Sequence, residues 1–169
     1  GLARPGPDQW VPNGRPDYLK KCVDNSLKRL RLERIDLYQL HRSDSKVPME
    51  DSLGALKEMR DAGKIRLVGL SEVGPAEIER ARKIVPIATV QNQYNVMNRR
   101  WEDALTYCEK QGLGFMPWSP VGGGSPLKGS KLEAVAKAHD ASVYQLAIAW
   151  LLHRSPVMLP IPGTSSVAH

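Results

Sequence analysis

Long apolar runs, cysteines and phenylalanines are all scarce in this 169-residue chain. No stretch approaches the roughly 20 apolar residues that a membrane-spanning helix needs, so a membrane partner is not expected. There is also no basic-then-apolar leader at the start, and cytoplasmic residence is the expectation. Two cysteines, Cys22 and Cys108, are too few for a disulfide framework or a thiolate metal centre, so no metal is expected. Both fall on apolar helix faces and read as buried thiols. Charge of one sign does not dominate either: 24 Lys and Arg stand against 18 Asp and Glu, a net of +6. The densest basic stretch, Lys28 to Arg34, is interrupted by leucines and Glu33, as at the solvated, cation-favouring end of a helix. Nucleic-acid binding is not expected, and an anionic cofactor is a simpler use for a modest positive charge.

The chain has an ordinary globular composition, 41% hydrophobic and 25% charged. The segment 1–16 holds four prolines and three glycines without periodicity and reads as a loop. From Pro16 onward, Leu19, Cys22, Val23, Leu27 and Leu30 recur at three- and four-residue steps, a helical face. Short apolar runs then alternate with helical patterns. Strands are predicted from residues 35, 65, 87, 113 and 157, with helices over about 48–62, 75–85, 99–111, 131–139 and 143–155. Ser142 followed by Gln145 is a capping-box pattern. Composition does not break along the chain, so 1–169 is expected to be one domain. Such alternation argues a parallel sheet with outer helices.

An open dinucleotide-binding sheet would carry G-x-G-x-x-G after its first strand. No such spacing occurs; the strands end instead in polar residues, at His41, Ser71, Gln91 and Ser119. Barrel enzymes keep their chemistry at that end, and a (β/α)₈-type barrel, incomplete with about five parallel strands, is the predicted fold. His41 either polarises a carbonyl there or caps loop backbone. Ser71 and Gln91 either orient a ligand carboxamide or satisfy their own loops. Trp118 either stacks on a planar ring or packs inside. The small residues of 119–125 can bring backbone amides close to phosphates. The turn from Pro160 to Ser166 offers hydroxyls. His139, His153 and His169 read as structural. Alternation turns Tyr38 and Tyr94 away from His41 and Gln91, so neither is expected to donate a proton.

Taken together, Ile35-Asp36-Leu37-Tyr38-Gln39-Leu40-His41, Gly69-Leu70-Ser71, Val90-Gln91-Asn92-Gln93-Tyr94-Asn95, Pro117-Trp118-Ser119-Pro120 and Pro160-Ile161-Pro162-Gly163 resemble the aldo-keto reductases in order and spacing, over essentially the whole chain. The resemblance implies an NADP(H)-dependent oxidoreductase that reduces small aldehydes or ketones to alcohols. By the same resemblance, His41 is the carbonyl-polarising histidine, Ser71 and Gln91 hold the nicotinamide carboxamide, and Trp118 stacks on the nicotinamide. Ser119, Val121 and Gly123 lie along the pyrophosphate, while Pro162, Gly163, Thr164 and Ser165 begin the adenosine-phosphate contact. The family's aspartate, tyrosine and lysine precede the segment that Gly1 matches, and about 250 residues is usual for this barrel. A shortened chain without those three groups is therefore expected. Glu72 stands where asparagine is common, and Thr164 where lysine is common. The alternative function is a catalytically weak or inactive nucleotide-binding module. Sheet edges left uncovered in a partial barrel imply self-association.

Overall fold

The computed structural model describes residues 1–122, 127 and 131–167. The chain forms two compact units, Gly1–Val90 and Gln91–His169.

The first unit opens with a short antiparallel ribbon, β1 (Leu2–Ala3) against β2 (Val11–Pro12), within the segment whose composition reads as loop. Helix α1 (Pro16–Leu30) starts on a proline, which the first helical position tolerates because its N–H would have no intrahelical partner. It buries Leu19 and Val23 and ends as Arg31 turns left-handed, φ 56°. Strand β3 (Ile35–Leu40) pairs in parallel with β4 (Ile65–Ser71), Ile35 opposite Ile65 and Gln39 opposite Gly69. The crossover between them is α2 (Met49–Asp61), which buries Leu53, Ala55 and Leu56. Helix α3 (Pro75–Arg82) then leads to β5 (Ile87–Gln91), the neighbour of β4. The Gly74 N–H donates to Glu77 Oε2 at 2.9 Å, closing the start of α3. Val68, Leu70, Ile78, Ala81, Val85 and Val90 form the sheet–helix core, and β4 is buried along most of its length, as a strand covered on both faces should be.

In the second unit, α4 (Glu102–Gln111) ends at Gly112, whose φ of 65° is the left-handed state that glycine adopts without a Cβ penalty. Strand β6 (Gly114–Phe115) is short. Phe115 N–H donates to Val157 O and Leu159 N–H to Phe115 O, both at 2.8 Å. Of the strand predicted over 157–161, only this single parallel bridge, Phe115 to Met158, forms. Proline supplies the reason: Pro117, Pro156, Pro160 and Pro162 have no N–H to extend a ladder. Helices α5 (Lys131–Ala138) and α6 (Val143–Arg154) follow. The capping box at the start of α6 is present, Gln145 N–H donating to Ser142 Oγ at 3.2 Å and Ser142 N–H to Gln145 Oε1 at 2.8 Å. Leu127, Ala136, Val143 and Ala147 make one core cluster. Buried Tyr94 lies edge-on to Phe115 and stacks on Trp150 with centroids 5.9 Å apart.

Candidate carbonyl and cofactor site

In the first unit, the register of β3 and β4 sets the row of residues at the strand ends. Gln39 faces Gly69, and Gln39 Nε2 donates to Thr89 Oγ1 at 3.1 Å. That bond passes over Gly69, where an added Cβ would stand 2.4 Å from Thr89 Oγ1 and 2.8 Å from Gln39 Cγ. The bare glycine keeps this row flat. Continuing the register by two residues places His41 beside Ser71 at the carboxyl ends of their strands. Arg42 joins them: its Nη1 donates to the His41 carbonyl at 2.7 Å and to Ser71 Oγ at 2.9 Å. Ser71 is only 2% exposed. His41 is exposed and meets the Trp10 ring edge-on, centroids 6.1 Å apart, while the Arg4 guanidinium lies 3.9 Å over Trp10. Partial desolvation, and then the Arg42 charge, hold the His41 imidazole below its ordinary pKa of 6.5. A neutral ring at neutral pH follows, able to donate a hydrogen bond without being an acid.

In the second unit, the residues after β5 run alongside the Trp118 segment. Trp118 N–H donates to Asn92 O at 3.1 Å, and Tyr94 N–H to Trp118 O at 3.4 Å. Trp118 is half-buried, and so is Gln91 at the end of β5. Ser119 takes a left-handed φ of 52°, and a turn closes behind it through Gly122 N–H to Ser119 O at 3.0 Å. Buried Asn95 steadies this turn, its Nδ2 donating to Ser119 O at 2.9 Å while its Oδ1 accepts from the N–H groups of Met97 and Asn98. Val121 packs its side chain on the Leu127–Ala147 cluster. Gly123, of the same loop, lies outside the described residues, as does His169. Pro162, Gly163, Thr164 and Ser165 form an exposed stretch, in which Thr164 Oγ1 accepts from Ser166 N–H at 3.1 Å. A Cβ at Gly163 would meet nothing within 4 Å.

The structure thus brings His41 and Ser71 together in one unit, and Trp118 and Ser119 together in the other. Three features were missed by sequence reasoning. Arg42 bonds a residue 29 positions away, which no local pattern records. Asn95 was legible as a turn-forming residue in a polar run, though its anchoring of Ser119 was not. Left-handed backbone at non-glycine residues occurs directly after Ser71 and after Trp118, at Glu72 (φ 57°) and Ser119. The same left-handed state closes α1 at Arg31, so at Glu72 and Ser119 it is local turn geometry. Among the described residues, no group of His, Cys, Asp and Glu is arranged to hold a metal ion.

Tyr94 and Tyr38 are each engaged within their own units. Tyr94 donates its hydroxyl proton to Glu102, and burial, reinforced by that carboxylate, pushes its pKa up to about 12. Arg154 closes the same cluster against Glu102 and Glu109. Burial likewise raises the Tyr38 phenol, with Ser26 opposing the shift.

Comparison with known proteins bears on both units. The model of the aldo/keto reductase family matches residues 4–169. An uncharacterised oxidoreductase of Schizosaccharomyces pombe is 48% identical over 170 residues, covering 100% of this chain and 56% of that protein. The pyridoxine 4-dehydrogenase of Escherichia coli is 41% identical, over 99% of this chain and 61% of its own length. Among solved structures, the thermostable aldo-keto reductase Tm1743, in complex with the inhibitor epalrestat, gives a TM-score of 0.83 at 34% identity, over 92% of this chain and 58% of that one. An aldo-keto reductase from Klebsiella pneumoniae in complex with NADPH gives 0.76 at 30% identity, over 87% and 54%. The chain therefore spans little more than half the length of these relatives, and its fold is that of an incomplete (β/α)₈ barrel. This chain belongs to the aldo/keto reductase family.

Proposed function

We propose that the chain supplies the carbonyl-polarising and cofactor-holding portion of an NADP(H)-dependent oxidoreductase that reduces aldehydes or ketones to alcohols. The observation that carries this reading is the placement of His41 beside Ser71 at the carboxyl ends of adjacent parallel strands, where barrel enzymes work. The donor set suits the group: a hydroxyl and an amide at strand ends for a carboxamide, an indole for a flat ring, and a left-handed turn after Trp118 whose amides suit phosphate. When bound, the cofactor supplies hydride. His41 donates a hydrogen bond to the carbonyl oxygen as negative charge grows there. Ser71 and Gln91 hold the carboxamide and Trp118 offers its face to the ring. The loop of Ser119, Val121 and Gly123 lies along the pyrophosphate, and Pro162, Gly163, Thr164 and Ser165 begin the adenosine-phosphate contact. The family match across both units supports reading 1–169 as one partial barrel domain. Cytoplasmic residence belongs to the same proposal; among the described residues no helix is long and apolar enough to cross a membrane.

A second reading, a binding module without turnover, is favoured by the commitment of the Tyr94 hydroxyl to Glu102. Under the first reading the general acid, worth about 10²–10⁴-fold, comes from outside these residues. NADPH consumption with a panel of simple aldehydes, measured beside quenching of tryptophan fluorescence by NADPH, separates the readings. Turnover supports the first, quenching without turnover supports the second, and neither response rejects both. Self-association is also proposed, supported by apolar side chains left in water, such as Leu152 at 55% and Leu159 at 59% exposure. A clean monomer in sedimentation at micromolar concentration contradicts it.

A further inference from the structure

Ser71 is proposed above as a carboxamide ligand, yet it is 2% exposed, and the group bonded to its hydroxyl is Arg42. One nitrogen, Arg42 Nη1, bridges the His41 carbonyl at 2.7 Å and Ser71 Oγ at 2.9 Å. Both bonds are charge-assisted, and so stronger than neutral ones. A hydroxyl with so little surface cannot meet a second ligand while its cover stays in place. Arg42 itself is half-buried and follows the last residues of β3, so its side chain can leave along the solvent side without unpairing the strands.

We propose that Arg42 is a latch over Ser71, closed in the free protein and displaced when a nicotinamide carboxamide takes the hydroxyl. The proposal rests on Ser71 being a cofactor ligand, and it adds that binding has a built-in competitor. The carboxamide exchanges one hydrogen bond at Ser71 Oγ for another, and the guanidinium passes from two protein acceptors to water. Net affinity is therefore lower than the contacts alone imply, by the free energy of holding the latch shut. The same exchange requires a conformational step, so association slows and saturates as NADPH concentration rises.

The test uses the full chain, NADPH as the ligand, tryptophan quenching as the readout, and stopped-flow mixing for the rates. Arg42→Ala and Arg42→Gln both remove the charged latch and keep Ser71. Each should tighten NADPH binding roughly 3- to 10-fold, the part of the two bonds' strength left after water resolvates the freed guanidinium. In each the observed rate should rise linearly with NADPH where the wild-type rate levels off. Arg42→Lys, which keeps a cation but not the fork, should fall between. Melting curves establish that each variant is folded, and the two non-cationic variants check one another. If either folded variant binds NADPH equally or more weakly than wild type, the latch is overturned while the cofactor reading stands. If wild type and all three variants fail to bind NADPH, the cofactor reading falls and the latch falls with it.

Discussion

Replacing Gly69 by alanine puts the packing of the strand-end row under direct strain. The new Cβ would stand 2.4 Å from Thr89 Oγ1, 2.8 Å from Gln39 Cγ and 3.1 Å from Gln39 Nε2, against carbon contacts that are comfortable at about 3.5 Å or more. Rotating Thr89 about χ1 relieves the closest clash and breaks the Gln39–Thr89 hydrogen bond, worth about 1 kcal/mol. Gln39 must still move, and inserting a methyl into a packed row costs about 1–3 kcal/mol. Alanine returns about 0.4–1 kcal/mol by restricting the unfolded chain. The net expectation is a loss of about 1.5–3 kcal/mol. For a chain of this size that lowers Tm by roughly 4–10 °C. Urea and thermal unfolding followed by circular dichroism provide the measurement. Thr89→Ala in the same background removes the tightest contact, so the double variant should be more stable than the two single losses added together, by about 1 kcal/mol. A Gly69→Ala protein within 0.5 kcal/mol of wild type, on the order of an ordinary surface change, refutes the claim that the Gln39–Thr89 bond needs a glycine beneath it.

Four further outcomes follow from the same geometry. Trp118→Ala should weaken NADPH binding by about 0.5–1.5 kcal/mol, roughly 2- to 13-fold, through loss of ring stacking; calorimetric titration checks this. Ser142→Ala removes the cap from Gln145 N–H and should cost about 0.5–2 kcal/mol in urea unfolding. The Arg80 guanidinium, bonded to both Glu50 oxygens, pulls the Glu50 carboxyl down to about 2 from its ordinary 4.5. Its contribution is complete above pH 4.5 and is lost as pH falls from 4.5 toward 2; acid unfolding of Glu50→Gln should lack that part of the slope. The His41 ring, followed by NMR, should titrate below 6.5. Because folding favours its neutral form, stability from this group is present above 6.5 and declines as pH falls through that value to the folded midpoint; a midpoint at or above 6.5 contradicts the neutral-donor role.

Much of the fold is legible because its signals are local and steric. Pro16 and Pro75 open helices where a missing N–H costs nothing, Gly112 closes one where φ must be positive, and Ser142 with Gln145 caps α6. The apolar runs at 35–40, 65–71 and 87–91 are strands. Less legible is the ribbon of Leu2–Ala3 with Val11–Pro12, which is two residues long on each side and carries no alternation. The reduction of the last predicted strand to one bridge at Met158 follows from prolines whose effect depends on which N–H faces a neighbour. The strand-end places of His41, Ser71 and Gln91 were legible from the apolar runs that precede them. Arg42 was not, because its two acceptors are brought together only by the register of β3 with β4. The left-handed backbone of Glu72 and Ser119 was also invisible, since neither residue type announces positive φ. No composition change marks residue 90, where long-range packing divides the two units.

The most direct measurement is an NADPH titration of the isotopically labelled chain, following the His41 ring, the Ser71 amide and the Trp118 indole by NMR. All three resonances should shift, and a single dissociation constant should describe them. Shifts confined to one of the three, or a spectrum unchanged at saturating NADPH, would contradict the nicotinamide-binding roles proposed for these residues.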